Sequence, residues 1–205
     1  MTETKWLEWA VRLQALAQNG LAYQPEIFDK ERYEEIRDIA SEMLATASGY
    51  PKSVVTGLFA SEDGYQTPKI DTRAAIFKED KILLVQESNG LWALPGGWCD
   101  VQESIMSNTI KEVREEAGLE VVARRLVAVQ DKSKNNLSHT AIRVIKHFVL
   151  CDYLSGDFVA NSETLAAKYF DLHELPDLSR NKTTAEQIEL CYQASQAEHW
   201  ETVFD

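Results

Sequence analysis

Cysteine is scarce in this chain: Cys99, Cys151 and Cys191 are the only three in 205 residues. They are odd in number and far apart. No pair has metal-finger spacing, and no disulfide framework can be drawn from them. Buried or incidental thiols in a reducing compartment are expected. Long apolar runs are missing as well. No stretch approaches the ~18 apolar residues that a membrane span needs. The opening MTETKWLEWAVRLQ has polar residues every few positions in place of a signal-peptide core, so a cytoplasmic location is the default expectation. Basic residues are in deficit, with 21 Lys and Arg against 33 Asp and Glu, a net charge of −12. Such a chain has no general attraction for nucleic acid or an anionic membrane, and neither is expected as a partner. A small polyanion can still bind where a metal and local basic groups reverse the field. Internal repeats and low-complexity segments are also absent, which excludes a solenoid.

Apolar residues make up 44% of the chain, enough for one large domain or two small ones with a proper core. Residues 2–19 follow the 3.6 helical period through Trp6, Trp9, Ala10, Leu13, Leu16 and Ala17, and Gly20 is a natural stop. Asp29 can cap a second helix, with Phe28 and Tyr33 at staple positions and an apolar face of Tyr33, Ile36, Ile39, Ala40 and Met43. Gly49 and Pro51 end it. Residues 1–50 thus read as a helical extension. Two helices cannot easily hold a core alone, so they should pack on the next domain, on a second copy, or both. A homodimer through these helices is one expectation. Residues 51–68 read as a linker broken by Gly57, Gly64 and Pro68.

From residue 69 the apolar period changes from helical to alternating. Residues 70–77 and 81–86 read as strands around a tight turn, Asn89-Gly90 as another turn, and 91–94 as a short strand. Residues 104–117 read as a helix, and 121–129, 141–153 and 165–172 as strands. Residues 130–139 form a polar loop. Thr183 with Glu186, or Thr184 with Gln187, makes a capping box for a last helix to about residue 197. The expected fold is α/β (α+β), a mixed-sheet sandwich flanked by helices over 69–205 and preceded by the helical extension.

One stretch breaks local rules: LPGGWCDVQESIMSNTIKEVREEAGL, residues 94–119. A helix there puts Glu112, Glu115 and Glu116 on one face. Like charges one turn apart cost roughly 0.2–0.5 kcal/mol. The last turn of a helix also disfavours anions. Two electrostatic rules broken together mark a candidate site. A hard divalent cation, which prefers carboxylate oxygens, is the simplest compensation.

Gly97, Glu103 and the run Lys111-Glu112-Val113-Arg114-Glu115-Glu116-Ala117-Gly118-Leu119 resemble the Nudix box, G-x5-E-x7-R-E-U-x-E-E-x-G-U with U aliphatic. Only Lys111 departs, standing where the family pattern has Arg. With the helical extension, the LPGGW turn and the NKTTAEQI stretch, the chain resembles a two-domain subgroup of ADP-ribose and CDP-choline pyrophosphatases. The resemblance implies hydrolysis of a nucleoside diphosphate linked to another group, ADP-ribose first and CDP-choline second. It implies Mg2+ or Mn2+ held by Glu112, Glu115, Glu116 and the Gly96 carbonyl, with Glu103 close by. Catalytic roles then fall on Glu112, Glu115, Glu103 and Lys111. Lys cannot make the bidentate contact by which the family Arg orients a glutamate. Reduced or more metal-dependent turnover is therefore expected. The alternative is a catalytically weak Nudix-like protein that senses a nucleotide, with Lys111 as its mark.

Substrate contacts are expected from Arg73, Trp98 and Lys132. Arg73 fits a phosphate contact and a structural ion pair equally, and Trp98 fits pocket lining and packing equally. Lys132 and Lys134 can reach a phosphate, although solvated loop charge is the better reading of both. His139 and His147 read as ordinary loop or strand histidines. Glu163, before a strand, is a candidate base outside the box.

Overall fold

A computed structural model describes residues 3–61, 63–136, 141–161 and 163–205. The chain divides into two compact units: Met1–Pro68 with His139–Arg143, and Lys69–Ser138 with Val144–Asp205. His139 itself lies outside the described residues.

The first unit is helical, with α1 (Glu3–Ala22), α2 (Ile27–Ser48) and α3 (Lys52–Phe59). Ala10 and Val11 of α1, Ala40 and Leu44 of α2, and Val55 and Phe59 of α3 form its core. Three sequence expectations are corrected here. First, α1 does not stop at Gly20. The Tyr33 ring of α2 packs so closely that a Cβ on Gly20 would sit 2.5 Å from it. Tertiary contact thus outweighs the weak helix propensity of Gly. Second, α2 starts at Ile27 behind Glu26, not behind Asp29. Asp29 instead lies in the first turn and pairs with Arg32 at 2.6 Å. Third, the supposed linker holds α3. Val55 and Phe59, four apart, bury one face of it, and Gly57 is carried along.

The second unit contains β1 (Lys69–Lys78), β2 (Lys81–Glu87), β3 (Trp92–Ala93), α4 (Ile105–Ala117), β4 (Leu119–Asp131), α5 (Lys132–Asn135), β5 (Val144–Gly156), β6 (Thr164–Phe170), α6 (Ala185–Gln196) and β7 (Val203–Phe204). The strand order is β3-β2-β1-β5-β4-β7, and β6 pairs with β2. β1 and β5 run parallel, while β4–β5, β1–β2 and β2–β6 are antiparallel. The result is the mixed sheet with flanking helices that the alternating pattern implies.

Strand alternation sorts the two faces. Ala75, Leu84, Phe148 and Leu150 meet Ile188, Cys191 and Ala194 of α6. Ala74, Ile76, Val149 and Cys151 meet Val113 and Ala117 of α4. The odd positions of β1 therefore look toward α6 and the even ones toward α4. The β4–β5 ladder continues to Asp131 opposite Ile145, which shortens the expected polar loop. The Asp131 carboxylate then caps α5, accepting from the Ser133 N–H at 2.8 Å. β5 begins at Val144, not at residue 141. Of the two capping boxes considered for α6, Thr184 with Gln187 is the one formed.

Asn108 and Thr109 are poor helix formers, yet they sit inside α4 and are completely buried. Asn108 Nδ2 donates to Thr72 Oγ1 at 2.9 Å, and its Oδ1 accepts from the Asp100 N–H at 3.2 Å. It ties α4 both to β1 and to the loop before the helix. Replacing it with Ala leaves a buried hydroxyl and a backbone N–H short of a partner. Asn108→Ala should lose about 2–3 kcal/mol of stability in urea unfolding. A loss below ~0.5 kcal/mol would refute the tie.

Candidate active site

The chain leaves β3 through Leu94-Pro95-Gly96-Gly97 and runs along the start of β1. Ala74 N–H donates to Pro95 O at 2.8 Å, and Thr72 N–H to Gly97 O at 2.9 Å. The approach is too close for side chains. A Cβ on Gly96, which has φ +142°, would lie 1.9 Å from Thr72 O. One on Gly97 would lie 2.7 Å from Glu112 Oε2. The glycines let the carboxylates of α4 touch backbone, and Gly96 N–H donates to Glu116 Oε2 at 2.7 Å.

The three helix glutamates are not equivalent. The Glu112 side chain is only 14% exposed. Burial, then the neighbouring Glu116, push its pKa up to about 7. Burial also raises Glu116, against the pull of the Gly96 N–H and Arg73. Glu115 is open, at 55% exposure, and faces Lys111 Nζ at 3.5 Å. Lys111 Nζ makes its closest bond, 2.7 Å, to Asp100 and lies 3.9 Å from Glu112. It acts as a point charge among three carboxylates, and its own pKa is raised chiefly by the Asp100 bond. Glu103 sits half-buried just before the helix, its N–H donating to Asp100 O at 2.9 Å.

These donors fit a hard divalent cation in kind. Burial raises the proton affinity of both Glu112 and Glu116, and Glu116 raises that of Glu112 further, a conflict that a cation would relieve. Among the described residues, however, no three His, Cys, Asp or Glu side chains are gathered closely enough to hold a metal as they stand. Glu115 is turned to Lys111, and Glu116 to the Gly96 N–H.

Arg73 is buried. Its Nε and Nη2 donate to the two oxygens of Asp71, both at 2.8 Å, and Nη1 to Leu94 O at 3.2 Å. Of the two readings of Arg73, the ion pair is formed, and it holds the turn against β1. Trp98 is half exposed and bridges Asp71 through backbone. Lys132 opens α5 half-buried; its carbonyl accepts from the Asn136 N–H at 3.0 Å, and its side chain makes no ion pair or hydrogen bond among the described residues. Lys134 is exposed beside a cleft of about 810 Å3. His147 is half-buried with Nδ1 lacking a partner among the described residues, and Glu163 is exposed ahead of β6.

Two basic residues escaped the sequence reading. Lys146 is 1% exposed on β5, opposite Asp71, and donates to the Lys182 carbonyl. Lys182, in the loop before α6, pairs with Glu87 at 2.7 Å. A signal for Lys146 was present. Val144, Lys146, Phe148 and Leu150 share the inward register of β5, and a lysine in that series is anomalous. Nothing in the local sequence marked Lys182 or the Lys111 partner Asp100.

Residues 67–191 match the NUDIX domain, and residues 4–59 match the UDP-X-like, N-terminal oligomerisation domain. The chain belongs to the Nudix hydrolase family. It is 39% identical to a Bacillus subtilis protein whose name proposes ADP-ribose pyrophosphatase activity, over 99% of this chain and 98% of that one. A crystal structure of an ADP-ribose pyrophosphatase from Streptococcus suis matches at 61% identity and TM-score 0.65, covering 68% of this chain and all of that one. A UDP-X diphosphatase structure matches at 34% identity and TM-score 0.64, covering 99% of this chain and all of that one. This Nudix enzyme carries its box on the Gly96–Gly97 turn and α4, where Lys111 replaces the family Arg.

The buried lysine of this Nudix unit predicts a pH signature. Burial, then Arg73 on β1, push the Lys146 pKa down to about 7; Asp71 opposes, and Lys132 and Lys182 add repulsion. The unfolded group titrates near its ordinary 10.5. Between those values the unfolded chain binds more protons than the folded one, so this group adds stability as pH rises and withholds most below pH 7. Lys146→Met should therefore raise the Tm relative to wild type most at about pH 6, the gap narrowing toward about pH 9. A gap that is constant or widens with pH in calorimetry contradicts a charged, buried ammonium.

Proposed function

We propose that the chain hydrolyses the diphosphate of a nucleoside diphosphate linked to a second group, with ADP-ribose as the first substrate. The observation that carries this reading is the acidic face of α4 held against the Gly96–Gly97 backbone, with Glu112 largely buried beside Glu116. The names of the B. subtilis and S. suis relatives favour ADP-ribose. The UDP-X diphosphatase likeness, which spans nearly the whole chain, favours a uridine diphosphate conjugate as second reading. CDP-choline draws no support from these relatives, and nor does a sensor without turnover.

In this reading Glu112, Glu115, Glu116 and the Gly96 carbonyl hold Mg2+ or Mn2+. The ion supplies positive charge to the diphosphate and favours loss of a proton from water. Gly96 N–H fixes one oxygen of Glu116 and leaves the other free. Lys111, bonded to Asp100, sets a positive charge 3.9 Å from Glu112 and 3.5 Å from Glu115, and Glu103 adds negative field from the preceding loop. Trp98, half exposed beside the turn, lines the substrate side. We also propose a homodimer through the helical unit. Trp6, Trp9, Ile39 and Val54 are exposed there, and a groove of about 440 Å3 is lined by Trp6, Ile39 and Met43. Buried Cys151 and Cys191 suit a reducing, cytoplasmic location.

A panel of nucleoside diphosphate conjugates with Mg2+, read by coupled phosphate release, should rank ADP-ribose first. Glu116→Gln should cut kcat by about 10²-fold or more with the fold retained. Lys111→Arg should raise kcat at limiting metal, and an unchanged or lower rate removes the orienting role of this position. Light scattering should give twice the mass of the chain; a monomer rejects the dimer.

A further inference from the structure

The acidic side of this site has a basic counterpart that the box does not include. Arg73, Lys132, Lys146 and Lys182 come from β1, α5, β5 and the loop before α6. Gln130 pairs with Lys146 and Asp131 with Ile145, so Lys132, the next residue, opens α5 at the same strand end as Lys146; Arg73 and Lys182 also act on Glu116. Strand register explains the gathering. Asp71 and Arg73 occupy odd positions of β1, on the α6 side, and Lys146 is the cross-strand partner of Asp71. The Lys182 carbonyl accepts from Lys146 Nζ, which fixes the loop over the strand end.

Ion pairs take up only two of the four. Arg73 is paired with Asp71, and Lys182 with Glu87. Lys132 and Lys146 make no ion pair among the described residues, and share only the longer-range attraction of Asp71. Lys146 is 1% exposed and has one carbonyl for its three donors, besides the Phe148 ring 5.6 Å away. A fully buried lysine with donors unfilled, beside a half-buried one in no ion pair, is a standing cost in a folded protein. The cost is unexpected in a chain of net charge −12, which has acids to spare. A multiply charged anion with several acceptor oxygens would remove it.

We propose that Lys132 and Lys146, flanked by Lys182, form an anion subsite that takes a phosphate group of the substrate on the α6 side of the sheet. The subsite rests on the diphosphate-hydrolase reading and adds to it a second, metal-independent hold on the diphosphate. Lys132 is the contact residue. Lys146 is the buried base of the subsite and, through the Lys182 carbonyl, a positioning residue for the loop.

The test is binding of inorganic pyrophosphate to the full chain in EDTA, followed by calorimetry, with no metal and no turnover. Wild type should bind. Lys132→Gln should weaken binding by about tenfold, the worth of one charge-assisted hydrogen bond. Its Tm should change little, because Lys132 is in no ion pair and its attraction to Asp71 is opposed by repulsion from Arg73 and Lys182. Lys146→Met should also weaken binding. Lys81→Gln, exposed at the far hairpin, controls for net charge and should bind as wild type. The proposal is overturned if wild type fails to bind, if Lys132→Gln and Lys146→Met bind as wild type, or if Lys81→Gln weakens binding equally. None of these results would alter the substrate ranking, so failure of the subsite and failure of the hydrolase reading are separate outcomes.

Discussion

The close run of the Leu94–Gly97 turn along β1 is the constraint on which the site depends. Backbone bonds from Thr72 and Ala74 hold it, and Arg73, locked to Asp71, pins Leu94 from the other face. Only glycine fits at Gly96, because its neighbour is a carbonyl oxygen and not a movable side chain. Once the turn is down, the Gly96 N–H points at Glu116 and the bare Gly97 leaves room for Glu112. The acidity of α4 is then a consequence of position. In an isolated helix these carboxylates would simply repel one another.

Opposed charge is the second theme. Carboxylates gather on the α4 side of the turn and ammonium groups on the α6 side, with the Arg73–Asp71 pair between them. Each set is poorly compensated within its own side. Glu112 is driven toward its neutral form by burial and by Glu116, and Lys146 by burial and by Arg73. Residues under such opposed pressure at one end of a sheet suit a ligand carrying both a cation and an anion. A metal with a diphosphate has that character.

Several local sequence signals were outvoted by packing. Gly20 read as a helix stop, but Tyr33 fills the space beside it and α1 continues. Gly57, with Gly64 and Pro68, reads as the breaker of a linker, but Val55 and Phe59 find a core and α3 forms. Asn108 is a poor helix former, yet it holds its place in α4 because Thr72 and the Asp100 N–H are its partners. In each case the deciding contact comes from a segment distant in sequence or in another element, where local propensity has no information.

By itself the sequence determined the mixed sheet, the flanking helices and the acidic box, because those depend on period, on turn residues and on fixed spacing along one helix. It could also have shown that Lys146 falls in the inward register of β5. Only the tertiary structure decided which charges meet. Arg73 became a buried strut because Asp71 lies two residues away on the same face of β1. Lys111 gained Asp100 across a loop, and Lys132, Lys146 and Lys182 converged from three elements. Periodicity orders residues along one element; electrostatic partners are set by the approach of different elements, which no local pattern encodes.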